Sequence, residues 1–474
     1  MDTLLGTAIF SEDVQSNFAA LSGDHNPVHV DPIAARRTPA GRQIVHGAHT
    51  VLVCLENLAA GSHNLPIPAK LSVRFVKPVY VGDSASILAK PASGEAQSLQ
   101  LQIDDSAAVD LQLTLGGTHD PVDRGEPIEV RENFPCRDVP LEEMTGRSGS
   151  VPSASTKDAV VRSFPHASSW IGEKPVAALL CLSRLIGMEC PGLHSLFSGF
   201  KLQFDPAETL PSLRYEVVKF DLRFRLLKIR FRGLGVVGEA DAFVRYPPVA
   251  QMPMDELSSF VRPHEFAAAH ALVVGGSRGL GELTAKLLAA GGCHTVITYA
   301  TGQTDADRTA QEIRQWGGRC DVIRYDARVP AQSQILSLRG AISHVYYYAT
   351  CQISARRTRN FDAALLDKFL QYYVRGFYDL CSALLDGDRR LSVFFPSSVY
   401  VEKRPKDLTE YAMAKAAGEV LCADLNRMWP QMRITCSRLP RLRTDQTASF
   451  TPTPYPSSID VLMPILRAVQ AVEL

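Results

Sequence analysis

The stretch Ala271-Leu-Val-Val-Gly275-Gly-Ser277-Arg278-Gly279-Leu280-Gly281 passes from a short apolar run straight into a glycine-rich turn. An apolar run bounded by glycine reads as a buried strand, and the residues after Gly281 read as a helix. Downstream, Thr295 to Tyr299 and Val322 to Tyr325 repeat the strand signal between helical stretches. That alternation predicts a parallel sheet with crossover helices. Glycines in such a turn let the backbone approach a pyrophosphate seated on the helix N-terminus. The loop, with Gly275, Ser277, Arg278, Gly279, Leu280 and Gly281, is therefore a candidate dinucleotide cradle.

Upstream the pattern differs. An apolar helix-like stretch, Ala48 to Ala60, precedes alternating segments such as Leu71-Ser-Val-Arg-Phe-Val and Leu99-Gln-Leu-Gln-Ile. This predicts one buried helix against an antiparallel sheet over 1–120. Residues 121–157, rich in Asp, Pro, Gly, Arg and Ser, read as a linker. The theme then recurs over 158–250, with an apolar stretch Val176 to Met188 ahead of Phe200-Lys-Leu-Gln-Phe, Leu213-Arg-Tyr-Glu-Val and Glu239-Ala-Asp-Ala-Phe-Val. A connector at 251–267 leads into the βαβ region, 268–474. The expected fold is multidomain: two α+β units, then an α/β domain.

At 474 residues the chain is too long for one core. Hydrophobic residues make up 46% and charged residues 21%, which excludes global disorder. Fifty basic residues balance fifty acidic ones, so the chain has no overall electrostatic footprint for nucleic acid or an anionic membrane. No span reads as transmembrane, and the N-terminus lacks a secretory pattern. Ten scattered cysteines without a C-x-x-C pair or His/Cys cluster read as reduced thiols rather than disulfides or a metal site. These features lead to the expectation of a cytoplasmic protein.

The segment Phe18-Ala-Ala-Leu-Ser-Gly-Asp24-His-Asn26-Pro27-Val-His29 places a carboxylate and an imidazole around a turn-forming Asn-Pro. By itself it is also a well-made turn. On a loop, the spacing lets both side chains face one reacting centre. Moving water on or off a carbon–carbon double bond conjugated to a thioester needs two proton transfers, and two groups of different proton affinity supply both. Backbone N–H groups at a helix start, which His46-Gly47 provides, would stabilise the enolate oxygen.

Phe-x-x-Leu-Ser-Gly-Asp-x-Asn-Pro-x-His, with Ala34, His46-Gly47 and Val73-Arg-Phe-Val-Lys-Pro-Val-Tyr-Val-Gly-Asp83, resembles the signature of MaoC-like (R)-specific enoyl-CoA hydratases. The resemblance implies a hot-dog fold, Asp24 and His29 as a catalytic dyad, Asn26 as its orienter and Gly47 in an oxyanion hole. Which of the dyad handles the carbon-bound proton stays open. Gly187-Met-Glu-Cys-Pro-Gly-Leu-His194-Ser195 with Phe200 to Phe204 resembles a second hot-dog unit. That half has no Asp-x-Asn-Pro-x-His, so it is expected to be catalytically silent, with His166 and His194 structural.

In the last region Ser398 is followed by Tyr411 and, four residues on, Lys415. Tyr and Lys at i and i+4 share a helix face, where Lys415 can lower the proton affinity of Tyr411 while Ser398 hydrogen-bonds a substrate oxygen. With the glycine loop, these residues look like the short-chain dehydrogenase/reductase family and its Rossmann fold. The strand ending Tyr299-Ala-Thr301 has no acidic residue to grip a ribose 2′-hydroxyl and Arg278 could pair a 2′-phosphate, so NADPH is favoured. Asp326 is placed for an adenine contact, and Thr444 fits a cofactor-contacting threonine of the family. Departures are Tyr347-Tyr348-Ala349-Thr350 where the family usually has Asn-Asn-Ala-Gly, Tyr373 at the proton-relay Asn, and Pro440-Arg441 for Pro-Gly.

The resemblances together imply reduction of a 3-oxoacyl thioester and dehydration of the 3-hydroxyacyl product, on CoA or an acyl carrier protein, in fatty acid or polyketide-type synthesis. The reverse direction is chemically permitted. Two alternatives remain: a hydratase with a degenerate reductase appendage, and a non-catalytic scaffold for acyl carriers. A homodimer is expected from the habits of both families.

Overall fold

In a computed structural model, the helix Gly47–Ala60 is buried at Ala48, Thr50, Val51, Leu52, Cys54, Leu55 and Leu58. A helix apolar on so many sides is a core element that needs a sheet around it. The structure describes residues 2–61, 65–91, 93–116, 127–131, 135–353, 361–447 and 454–471. Of the stretch read as a linker, 121–126 and 132–134 lie outside the described residues.

The wrapping strands are β1 (Thr3–Ile9), β2 (Pro68–Phe75), β3 (Ser84–Ala89), β4 (Ala96–Ile103) and β5 (Ser106–Leu115). Leu71 and Val73, Leu99, Leu101 and Ile103, and Leu111 and Leu113 point inward, while the residues between them face out or lie half-buried. This is the period of a sheet with one buried face.

The second theme repeats the first. Helix Glu173–Arg184 is buried from Lys174 to Arg184 and runs into one turn of π-helix, Leu185–Glu189. Around it lie β6 (Ser148–Val151), β7 (Ser195–Phe204), β8 (Leu213–Asp221), β9 (Leu226–Gly233) and β10 (Val236–Val244). β6 falls inside the stretch read as a linker. The two halves form one 10-stranded sheet, ordered β1-β3-β4-β5-β2-β7-β10-β9-β8-β6. At the seam Leu71 pairs with Leu202, Val73 with Phe200 and Arg74 with Gly199. A single core includes side chains of both central helices, among them Leu52, Leu55, Val176 and Leu180.

Contact density divides the chain at Pro247/Pro248, and the second unit has the predicted alternation. Its strands are β11 (His270–Val274), β12 (His294–Tyr299), β13 (Arg319–Arg324), β14 (His344–Tyr347), β15 (Leu391–Ser398) and β16 (Met432–Leu439), ordered β13-β12-β11-β14-β15-β16 and all parallel. β14 and β15 are buried along their whole length, as strands covered on both faces must be. The order reverses between β11 and β14, where such sheets leave a crevice at their carboxyl ends. Among the described residues no helix is long and apolar enough to cross a membrane.

At the seam, a Cβ added to Gly199 would lie 2.5 Å from the Val73 carbonyl oxygen. Gly199→Val is predicted to pry β7 from β2 and to destabilise the first unit by about 2 kcal/mol or more. The check is the midpoint of its urea transition. An unchanged midpoint would show that the seam does not hold the halves.

Candidate active sites

Asp24 follows helix Glu12–Ser22, which ends at Gly23 in the left-handed conformation (φ 71°). Its carboxylate is buried, with Oδ2 4.0 Å from Nε2 of His29. Asn26 caps the short helix Pro27–Val30 that carries His29, and its side chain accepts from the Val28 N–H. The His29 Nδ1 lies 2.7 Å from the Ile44 carbonyl oxygen. A carbonyl can only accept, so Nδ1 carries the hydrogen and Nε2 keeps its lone pair towards Asp24.

Burial raises the Asp24 carboxyl above the ordinary carboxylate range, opposed first by His29 and then by the Ser183 hydroxyl. Burial likewise pulls His29 below the usual imidazole range, with Asp24 partly opposing it. Each environment favours the neutral form, giving a carboxylic acid beside a bare imidazole nitrogen. The order of proton affinities is the one that acid/base work requires.

His46 stacks on His29 with centroids 4.0 Å apart. Its Nε2–H donates to the Asp24 carbonyl (2.8 Å), and its Nδ1 meets the Gln15 side chain (3.0 Å), which continues to His49 (2.9 Å). Asp24, His29 and His46 bring ligand-type atoms within 4.8 Å of one another. Because both imidazoles already donate to backbone carbonyls, the cluster is built for hydrogen bonds. Gly47 opens the core helix on the same wall, where an added Cβ would lie 2.8 Å from the Phe75 ring.

Sequence reasoning missed the contribution of the second half. Ser183 on the second central helix donates to Asp24 Oδ2 at 2.7 Å. The Asn26 amide donates to the carbonyls of Gly187 (2.7 Å) and Gly192 (3.1 Å). Gly187 sits in the π-helical turn, and a Cβ there would lie 2.1 Å from Asp24 Oδ1. Only glycine lets that turn approach the carboxylate. His194 faces Asp138 (3.6 Å) and does not join the dyad. A serine in an apolar helix and a glycine in a turn carry no signal without the fold that brings them to Asp24.

A cavity of ≈ 360 Å³ opens beside the dyad, lined by Asp24, His29, Gly47, Ser183, Gly187 and Arg245 together with apolar side chains such as Val28, Ile44, Phe75, Val79, Leu196 and Phe243. Apolar walls with a few convergent polar groups are the usual make-up of a small-molecule site.

In the second unit, β11 enters the glycine loop. Gly275 (φ 76°) and Gly279 (φ 61°) are left-handed, and a Cβ at Gly281 would lie 2.2 Å from the Gly275 carbonyl oxygen. Helix Gly279–Ala290 starts without a side-chain cap, which leaves first-turn N–H groups open to an anion. A Cβ at Gly279 would meet only Thr444, at 3.9 Å. Ser277 is buried at the loop and Leu280 is half-buried on the helix. The loop therefore fits a dinucleotide pyrophosphate, with Thr444 beside it.

Ser398 ends β15, and Tyr411 and Lys415 share the helix Thr409–Met428. The Tyr411 phenol is hydrogen-bonded to Ser398, but burial lifts it to about 12. The lowering by Lys415 expected from the sequence is absent, since the ammonium donates instead to the Pro396 carbonyl at 2.6 Å, and burial brings Lys415 down to about 7. Tyr373 fills the space at the relay-Asn position: the Lys415 Nζ lies 3.8 Å from its ring centroid, and its hydroxyl is bonded to Thr350. Tyr348 reaches away to Thr284 (2.8 Å).

Two other expected ligand contacts are already engaged. Arg278 pairs with Asp445 (3.4 Å), and Asp326 is bonded by the Arg328 guanidinium (2.7 Å), which holds its carboxyl below the usual range. In each pair a ligand would have to displace or share the partner's charge.

Asp24 generates a prediction for stability. A carboxyl raised by burial contributes stability below its unfolded value, and this is lost as pH rises through the folded value. Asp24→Asn removes that loss, so its thermal midpoint relative to wild type is predicted to climb as pH rises above the ordinary carboxylate value. A difference that shrinks over this range would contradict the assigned direction.

Comparison with known proteins agrees with this division. Residues 6–98 match the family model described as MaoC like domain, and residues 269–451 match that of short chain dehydrogenase. The 3-hydroxyacyl-thioester dehydratase X of Mycobacterium tuberculosis (strain ATCC 25618 / H37Rv) is 38% identical over 77 residues, 16% of this chain and 26% of that protein. An (R)-specific enoyl-CoA hydratase of Aeromonas caviae is 40% identical over 75 residues, 15% of this chain and 52% of that protein. An uncharacterized oxidoreductase of Escherichia coli (strain K12) is 27% identical over 220 residues, 43% of this chain and 88% of that protein. The chain thus spans 26% of the dehydratase and 52% of the hydratase. It is a fusion of a MaoC-like domain with a short-chain dehydrogenase domain.

Proposed function

We propose that the protein processes the β-carbon of acyl thioesters, interconverting enoyl and 3-hydroxyacyl forms in its first unit and 3-hydroxyacyl and 3-oxoacyl forms in its second. The observation that carries this reading is the buried acid beside a bare imidazole nitrogen at the wall of an apolar cavity. It is supported by the names of the relatives matched over the first unit, a 3-hydroxyacyl-thioester dehydratase and an enoyl-CoA hydratase.

In hydration, the His29 Nε2 takes a proton from water as its oxygen bonds to C3, and Asp24 gives its proton to C2. Dehydration reverses both transfers, so atoms and charge balance. Asn26 and Ser183 fix the Asp24 loop, and Gly47 at the helix start is the oxyanion-hole candidate.

In the second unit the glycine loop and helix start, with Ser277, Arg278, Leu280 and Thr444, would hold a nicotinamide dinucleotide, and Asp326 would flank its adenine. When bound, NADPH supplies the hydride. The absence of an acid after Tyr299 supports the phosphorylated form, with Arg278 as the residue to meet its 2′-phosphate. Ser398 orients the carbonyl oxygen and Tyr411 delivers the proton, with Lys415 one turn further along the same helix. A second reading, in which the reductase half is silent, is favoured by one observation: Lys415 lies over the Tyr373 ring and is hydrogen-bonded to Pro396.

The test incubates the full chain with NADPH and a 3-oxoacyl thioester, following cofactor absorbance and product mass. NADPH consumption is predicted, falling at least 100-fold in Tyr411→Phe, with 3-hydroxyacyl product accumulating in Asp24→Asn. Untouched NADPH with enoyl hydration intact would select the silent-appendage reading.

A further inference from the structure

We infer that the cavity beside Asp24 and His29 takes acyl thioesters whose chain carries a terminal carboxylate, and that Arg245 pairs with it. The inference rests on the reading of this cavity as an acyl-thioester site and adds a substrate class to it.

Arg245 follows the last strand of the first unit, lines the cavity and is 7% exposed. Its Nε donates to the Ser195 carbonyl and one Nη to that of Leu193, both at 2.9 Å. A guanidinium has five N–H donors, and these two bonds leave most of the fork uncommitted. Among the described residues no carboxylate pairs with it. Burial draws it down to about 10, so it still carries its charge at neutral pH.

Burying an unpaired cation in a mostly apolar wall costs several kcal/mol, and an anionic ligand group offsets that cost. The planar fork matches a carboxylate in two parallel bonds. The position favours the acyl group over the carrier as the source of the anion. Arg245 shares the Leu193 carbonyl with Asn26 and acts electrostatically on His29, so it sits near the reacting carbons. A carrier's phosphate lies a whole pantetheine arm away from them. The ≈ 360 Å³ volume is near the lower end for ligand pockets and suits a short chain.

The experiment measures hydration by the full chain of two pairs of CoA thioesters: trans-2-butenoyl against its analogue with carboxylate in place of the terminal methyl, and trans-2-hexenoyl against trans-2-hexenedioyl. Wild type is expected to prefer a carboxylate-ended member by at least tenfold in kcat/KM. In Arg245→Met that ratio is expected to fall by on the order of 100-fold, with Arg245→Lys in between. The wild-type preference is readable even if a variant fails to fold. Preference for the methyl-ended members, or an equal loss on both in the variants, would overturn the inference and leave the hydratase reading standing. Hydration of none of the four would fail that reading itself. The same assay on N-acetylcysteamine thioesters, which lack phosphate, is expected to keep the preference. An Arg245 effect seen only with CoA would assign the anion to the carrier and overturn the inference.

Discussion

A buried carboxyl group has to be held, and the first unit is organised around holding Asp24. The loop that carries it is pinned from below by His46, from the side by Ser183, and through Asn26 by the carbonyls of Gly187 and Gly192. Three of those four supports belong to the second half of the unit, on its central helix, the π-helical turn and the loop before β7. Without β2 paired to β7, the π-helical turn would not reach Asp24, and the carboxyl would lose the burial that raises its proton affinity. The unbroken sheet is therefore part of the chemistry. The half that has no catalytic motif supplies the positioning of the half that has one.

The π-helical turn explains how this is done. Extra residues in a helical turn leave carbonyls outside the regular ladder, and such turns recur at functional sites. Here the Gly187 carbonyl accepts from Asn26 and from the Cys136 thiol, while the absent side chain gives Asp24 its space. The second unit solves a related problem with opposite chemistry. Lys415 is buried against Tyr373, Phe395 and the Pro396 carbonyl, so aromatic faces and one carbonyl replace water around an ammonium.

Much of this was legible in the sequence. The Asp24 to His29 segment, the glycine loop and the Ser398, Tyr411, Lys415 spacing are local patterns. The glycine loop and the Tyr411–Lys415 helix lie where expected, whereas His29, expected on a loop, sits in the short helix Pro27–Val30 because Pro27 and the Asn26 cap start a helical turn there. Strands such as β2 and β4 announce themselves by alternation, and β11 by its short apolar run ahead of the glycine turn. What could not be read depends on long-range pairing. Ser183 and Gly187 lie more than 150 residues from Asp24 in the chain and meet it only through the β2–β7 seam. The ion pairs of Arg278 with Asp445 and of Arg328 with Asp326 redirect charges that sequence spacing alone assigned to a ligand. Burial, which no motif encodes, decides the proton affinities of Tyr411 and Lys415.

The claim that one active site is built from both halves is tested most directly at Ser183, by the pH dependence of enoyl thioester hydration in wild type, Ser183→Ala and Ser183→Thr. A hydrogen bond to a charged group is worth about 1.5–3 kcal/mol, so Ser183→Ala is predicted to lower kcat roughly 10- to 100-fold. Because the hydroxyl stabilises the ionised carboxyl, its loss should also move the Asp24 limb of the profile to higher pH, with Ser183→Thr restoring both. A folded Ser183→Ala protein with the wild-type rate and profile would contradict the account.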